Sequence, residues 1–315
     1  MENKELTEEL VKDLGLDKVK VITSDMLEGY TSIGYSAFCG CTSLTSIEIP
    51  NSVTSIGDRA FCYCRGLTSI TIPNSVMSIG YRAFEVCSSL TSIEIPNSVM
   101  SIGNNAFSSC TNLTSITIPN SVINIGYRAF NYCKGLKSVI IPDSVTSIGN
   151  STFWGCYSLT SIIIPNSVKS IEDYAFYGCC NLKSVTIPSS VTRLEFAAFM
   201  FCNKLKNIII GDKTYKTKRV INGKCKAYKA FNANLTCRDF QYEEGKTYEN
   251  EDTIKLCEQG FHACLNLADV FNYYYGEFGV NIVVHEVKLE NVSKETSDDD
   301  SKVAAKKITI GKRIL

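Results

Sequence analysis

The residues with the greatest capacity for chemistry lie in the last third of the chain, which holds both histidines, His262 and His285. Cys257, His262 and Cys264 offer thiolate and imidazole groups of the kind that bind zinc. Their spacing matches no common zinc motif, so we predict no metal site. The chain also contains no glycine-rich phosphate loop and no serine nucleophile elbow. The residue pattern therefore favours a noncatalytic protein without a cofactor.

Composition and charge exclude several other classes of protein. The 315 residues are 44% hydrophobic, and 32 basic residues balance 32 acidic ones. Nucleic-acid binding is not predicted, because phosphate neutralisation needs a surplus of Lys and Arg. The charged N-terminus does not resemble a secretory signal, and no apolar stretch is long enough for membrane insertion. We therefore expect a cytoplasmic protein, with export by a route not visible in the sequence as the alternative.

A strict 23-residue repeat organises the first two thirds of the chain. One phenylalanine recurs in every copy, a cysteine follows it three residues later, and all seven prolines keep the same register. The phenylalanines are Phe38, Phe61, Phe84, Phe107, Phe130, Phe153, Phe176 and Phe199. Such a fixed period without insertions predicts a solenoid, in which each copy buries its apolar side against its neighbours.

One copy illustrates the expected local structure. Ile47 and Ile49 alternate with Glu48, as in a half-buried strand, and Pro50 ends that strand because proline cannot donate to a ladder. A second short apolar segment follows, and residues 58–64 are predicted to form one helical or 3₁₀ turn. The recurring cysteines are expected to be reduced, buried packing residues, because free cysteine behaves as a small hydrophobe.

The repeat unit, LxxIxIPxSVxxIGxxAFxxC, resembles the BspA-like (Treponema pallidum-type) class of leucine-rich repeat over residues 30–210. The resemblance implies a curved solenoid whose parallel strands line a concave face used for protein or glycan contact. Many members of this class are surface proteins. The expected fold is a leucine-rich-repeat β/α solenoid of eight 23-residue coils, followed by a small C-terminal α+β domain.

Four segments follow from the pattern. We expect an N-terminal cap over residues 1–29, with a short helix at 7–14, and the solenoid over 30–211. Residues 212–222 form a joint, and residues 223–315 form the α+β domain, with a helix at 265–275. The last segment also looks like an uncharacterised domain of bacterial and phage proteins, which implies no established activity.

The predicted function is noncatalytic recognition of another protein, or secondarily of a glycan, through strand positions that point away from the core. These positions carry mostly small polar side chains, with acidic residues in the early coils and lysines and isoleucines, among them Ile140 and Ile163, in the later ones. The alternative interpretation is a solvated surface that keeps a repetitive sheet soluble. The predicted binding residues are Thr68, Ser69, Thr91, Ser92, Glu94, Thr114, Ser115, Lys137, Ser138, Thr160, Ser161, Lys183 and Ser184.

Aromatic residues accumulate after the repeat phenylalanines of the later coils. The favoured interpretation is that the C-terminal segment docks on this flank, and the alternative is an interface with a partner. The residues concerned are Tyr63, Tyr132, Trp154, Tyr157, Tyr177, Met200 and Phe201.

A second function is kept open by a looser resemblance. The run GFHACLNLADVFNYYYGEFGVNIVVHEVKLENV is similar to a segment of ADP-ribosyltransferases of the poly(ADP-ribose) polymerase type. By that resemblance His262 would lie at a nicotinamide cleft, NAD would be the cofactor, and Arg238, Glu286 and Glu290 would be further catalytic candidates. His262 replaces the stacking tyrosine of the family, and no residue matches its catalytic glutamate. Under this alternative, the solenoid would select the target of an effector enzyme.

Overall fold

The repeats wind into nine stacked coils, and each coil contributes one front strand and one back strand. The computed structural model describes residues 4–211, 213–216, 224–232, 236–237, 240–249, 261–264, 270, 282–293 and 302–314. The front strands are Val21–Ile22, Ser46–Glu48, Ser69–Thr71, Ser92–Glu94, Ser115–Thr117, Ser138–Ile140, Ser161–Ile163, Ser184–Ile187 and Asn207–Ile210. The back strands are Glu5–Leu6, Ser32–Ile33, Ser55–Ile56, Ser78–Ile79, Ser101–Ile102, Asn124–Ile125, Ser147–Ile148, Ser170–Ile171 and Arg193–Leu194.

Front strands pair with front strands, and back strands with back strands, in parallel and without a register shift. The hydrogen-bonded front sheet is divided between Ser69–Thr71 and Ser92–Glu94, and the back sheet between Asn124–Ile125 and Ser147–Ile148. Because each coil repeats the same 23 residues, identical side chains lie above one another in columns. The predicted solenoid is therefore confirmed.

The columns fill one continuous core between the two sheets. The alternating apolar residues of each front strand, the valine and isoleucine around each back strand, and the repeat phenylalanine and cysteine are all buried. Neighbouring phenylalanine rings stack with centroids 5.0–5.5 Å apart and planes within 2–8°. The phenylalanine register, read from spacing alone, therefore forms an unbroken internal column.

The predicted helical turn over residues 58–64 is wrong, because half of its backbone N–H groups bond to the next coil. Arg59, Phe61 and Tyr63 each donate to a carbonyl of the following coil at 2.7 Å, whereas Cys62 donates within its own turn, to Arg59. In a helix, successive N–H groups beyond the first turn all bond to carbonyls of the same segment, without alternation between neighbouring coils. Arg59 and Tyr63 instead adopt left-handed φ values of 56° and 60°, which orient alternate groups along the stack.

Helical structure in the solenoid is confined to its ends. The predicted N-terminal helix is present as Glu8–Asp13, where the Thr7 hydroxyl accepts a hydrogen bond from Leu10 N and Val11 is buried. Short 3₁₀ segments occupy Leu16–Lys18, Ser24–Leu27 and Phe196–Phe199. The last of these lies in the last copy of the 23-residue repeat.

The C-terminal segment forms an antiparallel sheet. Lys213–Lys216 first extends the front sheet by pairing with Asn207–Ile210. Five strands then follow the order Thr247–Glu249, Lys302–Arg313, Phe261–Cys264, Lys224–Asn232, Ile282–Ser293, and a further pairing of Ile282–Ser293 with Lys302–Arg313 closes the sheet on itself. A separate ribbon pairs Thr236–Cys237 with Phe240–Gln241. Of the predicted helix at 265–275, the structure describes only Val270, which is helical and buried.

A glycine column allows the back sheet to pack closely. An added Cβ on Gly103 would lie 2.6 Å from the backbone carbonyl of Gly80, whereas one on Gly149 would meet nothing closer than Thr152 Oγ1 at 3.5 Å. Gly149 directly follows the back strand at which that sheet is interrupted. The same register position holds glutamate in the next two coils, at Glu172 and Glu195.

We expect Gly103→Ala to destabilise the protein by about 1–3 kcal/mol, because its new methyl group meets backbone atoms that cannot rotate away. Gly149→Ala is the matched control and should change stability by no more than about 0.5 kcal/mol. Urea unfolding of both variants measures the difference. Equal effects of the two substitutions would contradict the close packing assigned to the earlier coils.

Candidate functional site

The catalytic candidates of the C-terminal segment are described only in part. His262 lies in strand Phe261–Cys264, where its backbone is level with Ala304. Arg238 lies outside the described residues, and so does Cys257 of the zinc-like set. In the part of the chain that the structure describes, no three His, Cys, Asp or Glu side chains cluster as a metal site would require.

The two glutamate candidates share one strand, Ile282–Ser293, at a separation of four residues. Glu286 is level with Tyr228, and Tyr228 is in turn level with Cys264. One strand therefore lies between Glu286 and the strand that carries His262, which corresponds to about 9–10 Å. Glu290 is level with Lys224, farther along the same strand. The strand that carries both glutamates is therefore not a direct neighbour of the strand that carries His262.

His285 occupies a structural position. It is only 2% exposed, and its Nδ1 lies 2.8 Å from the carbonyl oxygen of Gly311. Its ring meets Phe231 edge-on at 5.6 Å. Since a carbonyl oxygen can only accept, Nδ1 carries a proton and donates this hydrogen bond. The histidine thus joins two strands of the closed sheet.

The predicted binding residues all lie on the outer surface of the front sheet and are exposed. Ser115, Ser138 and Ser161 are in direct register, so equivalent residues form straight rows across the strands. Three of the threonine hydroxyls also have a structural role, because Thr68, Thr114 and Thr160 donate to carbonyls of the preceding coil at 2.9–3.2 Å. The sheet presents a flat polar face whose hydroxyls partly satisfy its own backbone.

An apolar pair interrupts this polar face. Ile140 and Ile163 are directly opposed on neighbouring strands, and each is 63% exposed. Lys137 and Lys183 are exposed in the same half of the sheet, whereas exposed Glu94 lies in an earlier coil. Exposed hydrophobic residues that contact one another mark an interaction surface more often than single exposed ones do.

The aromatic residues of the later coils form a groove on the turns, away from the front sheet. Tyr127, Arg128, Asn150, Trp154, Tyr174 and Tyr177 line it, together with Ser151 and Met200, around a volume of about 470 Å³. Tyr157 and Phe201 beside it remain 38% and 43% exposed. Much of the C-terminal segment lies outside the described residues, so the docking interpretation stays a prediction.

Five of the groove residues escaped prediction from the sequence: Tyr127, Arg128, Asn150, Ser151 and Tyr174. Their equivalence could be read from the repeat, because Arg128, Ser151 and Tyr174 occupy the same position of successive coils. The pattern did not reveal that these turn residues adopt left-handed backbone conformations. Arg128 and Tyr174 have φ values of 54° and 58°.

The repeat cysteines form a column of protonated, hydrogen-bonded thiols. Each repeat cysteine from the second copy on donates its thiol to the phenylalanine carbonyl of the preceding coil, at sulfur–oxygen distances of 2.9–3.3 Å. Burial raises the pKa of the Cys133 thiol well above its ordinary value, and the adjacent Cys156 adds to the shift. The cysteines from Cys39 to Cys202 are all unpaired. These thiols are packing residues and hydrogen-bond donors, as expected.

The fold defines a class of protein: a repetitive β-solenoid with two extended sheets. Within the described residues, no helix has the length and apolar character needed to traverse a bilayer. The sequence profile of the BspA type leucine-rich repeat region matches residues 31–159 and 123–243, which together exceed half of the chain. The chain therefore belongs to the BspA-type leucine-rich-repeat family. Residues 225–315 match a domain of unknown function, DUF7666.

Solved structures support the same assignment. The leucine-rich repeat protein of Treponema pallidum is 34% identical, with a TM-score of 0.50, over 52% of this chain and 78% of that one. A leucine-rich repeat protein from Bacteroides ovatus is 31% identical, with a TM-score of 0.54, over 63% of this chain. This chain spans 57% of the length of the Bacteroides protein. No curated protein matches the chain.

Proposed function

We propose that the protein is a noncatalytic recognition scaffold that binds another protein through the outer surface of its front sheet. The observation that carries this proposal is the pair Ile140 and Ile163, each 63% exposed at the centre of an otherwise polar, in-register surface. Burying two such side chains in a complex would contribute about 1.5–3 kcal/mol each. Contiguous exposed apolar side chains favour an interaction surface over a purely solvated sheet.

Charge and rigidity support the same proposal. Lys137 and Lys183 flank the isoleucine pair, and Glu94 lies toward the other end, so the surface is polarised along the stack. Complementary charge on a partner would fix its orientation more than its affinity. The coils are joined by backbone hydrogen bonds in every turn, so the surface is preformed and little ordering cost accompanies binding. The unpaired state of the described cysteines favours a reducing compartment, which fractionation of the source cells would test.

The experiment compares aspartate substitutions at exposed apolar positions of the front sheet with one beside the back sheet. The full chain is first used to isolate a partner, and the affinity of that partner is then measured for variants. We expect Ile140→Asp combined with Ile163→Asp to weaken binding at least about tenfold, because each introduces a charge into the apolar centre. Met100→Asp, at a position 51% exposed just before a back strand, is the control.

The control should bind as the wild type does. Retention of full affinity by the double variant, with loss only in Met100→Asp, would move the binding surface to the back sheet and refute the proposal. Far-UV circular dichroism of each variant verifies that the coils remain folded.

A further inference from the structure

The groove on the turns differs from the front sheet in its chemistry. Its lining combines tyrosine, tryptophan and arginine, the residue types that dominate binding energy at protein interfaces. Trp154 lies at the centre, with ring centroids 5.7 Å from Tyr174 and 4.9 Å from Tyr177. Tyr177 in turn meets the half-exposed Phe201 edge-on at 5.1 Å. The result is an aromatic wall that spans three coils.

Arg128 supplies the charge of the groove. Its guanidinium carbon lies 4.7 Å from the centroid of Tyr127 and 5.5 Å from that of Trp154. Its Nε is buried and has no hydrogen-bond partner among the described residues. A buried N–H donor without an acceptor is costly, so an incoming acceptor near this guanidinium would be favoured.

Arg128 lacks the acidic neighbour of its equivalent in an earlier coil. Arg82 holds the same register position two coils earlier, and its Nε, which also has no hydrogen-bond partner in the described part of the chain, lies 3.5 Å from Glu85 Oε2. In the coil of Arg128 the residue equivalent to Glu85 is Asn131, which carries no charge. The carboxylate of Glu172 accepts hydrogen bonds from Ser147 Oγ and Asn150 N.

The geometry of the rings distinguishes between two kinds of acidic ligand. A sugar ring needs a flat exposed aromatic face, but Trp154 has Arg128 on its ring and Tyr174 stacked within 25°. Tyr177 is tilted 56° from Trp154 and 62° from Tyr174, so the rings form an angular wall. An angular apolar wall beside one cation suits a flexible side chain better than a flat ring.

We propose that this groove binds a peptide segment that presents a carboxylate beside an apolar side chain, with the carboxylate on the Arg128 guanidinium. An arginine–carboxylate pair is charge-assisted and directional, and it is stronger where aromatic rings exclude water. The site lies on a different surface from the front sheet. It therefore goes beyond the proposed scaffold function and does not depend on it.

The groove contains its own reporter, because Trp154 is the single tryptophan of the chain. The peptide acetyl-Leu-Glu-Leu-amide is titrated into the full chain while Trp154 fluorescence is recorded, and acetyl-Leu-Gln-Leu-amide serves as the uncharged counterpart. We expect a saturable change with the glutamate peptide and at least about tenfold weaker binding of the glutamine peptide. The variant with both Ile140→Asp and Ile163→Asp should bind the glutamate peptide as the wild type does.

Arg128→Gln should abolish the preference for glutamate, and Arg128→Lys should retain part of it because the charge remains. Arg82→Gln removes an arginine that already has an acidic neighbour, and it should leave the titration unchanged. The proposal is overturned if no saturable change occurs up to about 10 mM, or if the preference survives in Arg128→Gln. Binding of glucuronate in place of the peptide would also overturn it, in favour of an acidic glycan.

Discussion

Replacing Phe130 with alanine should lower the free energy of unfolding by about 3–5 kcal/mol. Phe130 is fully buried, and its ring stacks between Phe107 and Phe153 with both centroids 5.5 Å away. The neighbouring coils cannot close around the cavity, because the N–H of Phe130 still donates to Thr152 O at 2.9 Å. Urea unfolding followed by far-UV circular dichroism measures the loss.

The position of Phe130 within the array makes this substitution informative. In a solenoid each coil is stabilised mainly by its two neighbours, so damage in the middle weakens two interfaces. Thr117→Ala, on the exposed side of a front strand, is the control and should cost less than about 0.5 kcal/mol. If Phe130→Ala were no more harmful than this control, the stacked column would not be a source of stability.

The residues that could be predicted from the sequence are those whose role follows from period alone. The spacing of Phe38 and Phe61 implies a column of phenylalanine side chains. The alternation around Glu48 implies a strand with one solvent-exposed side, and the structure contains both. These inferences require only that the coils repeat, and not how one coil contacts the next. For the same reason, the exposed position of Ile140 and Ile163 was visible in advance.

The turns could not be predicted in this way, because their conformation depends on hydrogen bonds between coils. Propensity suggests a helical turn for residues 58–64, yet Arg59 and Tyr63 adopt left-handed geometry that places N–H groups on the next coil. Left-handed φ values are unfavourable for residues other than glycine, so no local rule would select them. The groove around Arg128 follows from the same turns and was missed with them.

The strand order of the C-terminal segment could not be predicted from the sequence. The segment has no internal period, so the order of its strands depends on contacts between distant parts of the chain. Apolar and polar residues alternate from Ile282 to Leu289, as is typical of a strand, and Ile282–Ser293 is one. The alternation did not reveal that Ile282–Ser293 would pair on both sides and close the sheet, nor that His285 would be buried against Phe231.

Raising the pH above 9 should destabilise the protein steeply through the cysteine column. Burial holds the pKa of Cys110, Cys133 and Cys179 well above the ordinary value of 9.0. Below that pH the thiols are protonated in both states, and their contribution to stability is complete. Above it the unfolded chain releases protons that the folded chain retains, so stability falls as pH rises. Each such thiol contributes about 1.4 kcal/mol of loss per pH unit.

Tyrosine and lysine also titrate in this range, so the test compares slopes between variants. Cys133→Ala removes one buried thiol whose Sγ donates to Phe107 O at 3.1 Å, at a cost of about 1 kcal/mol at neutral pH. Between about pH 9 and pH 10.5 its unfolding free energy should fall less steeply than that of the wild type, by about 1.4 kcal/mol per unit. Cys39→Ala, which removes an exposed thiol, should preserve the wild-type slope. Parallel slopes for the wild type and Cys133→Ala would mean that the column ionises without unfolding, and the packing role of the thiols would then be wrong.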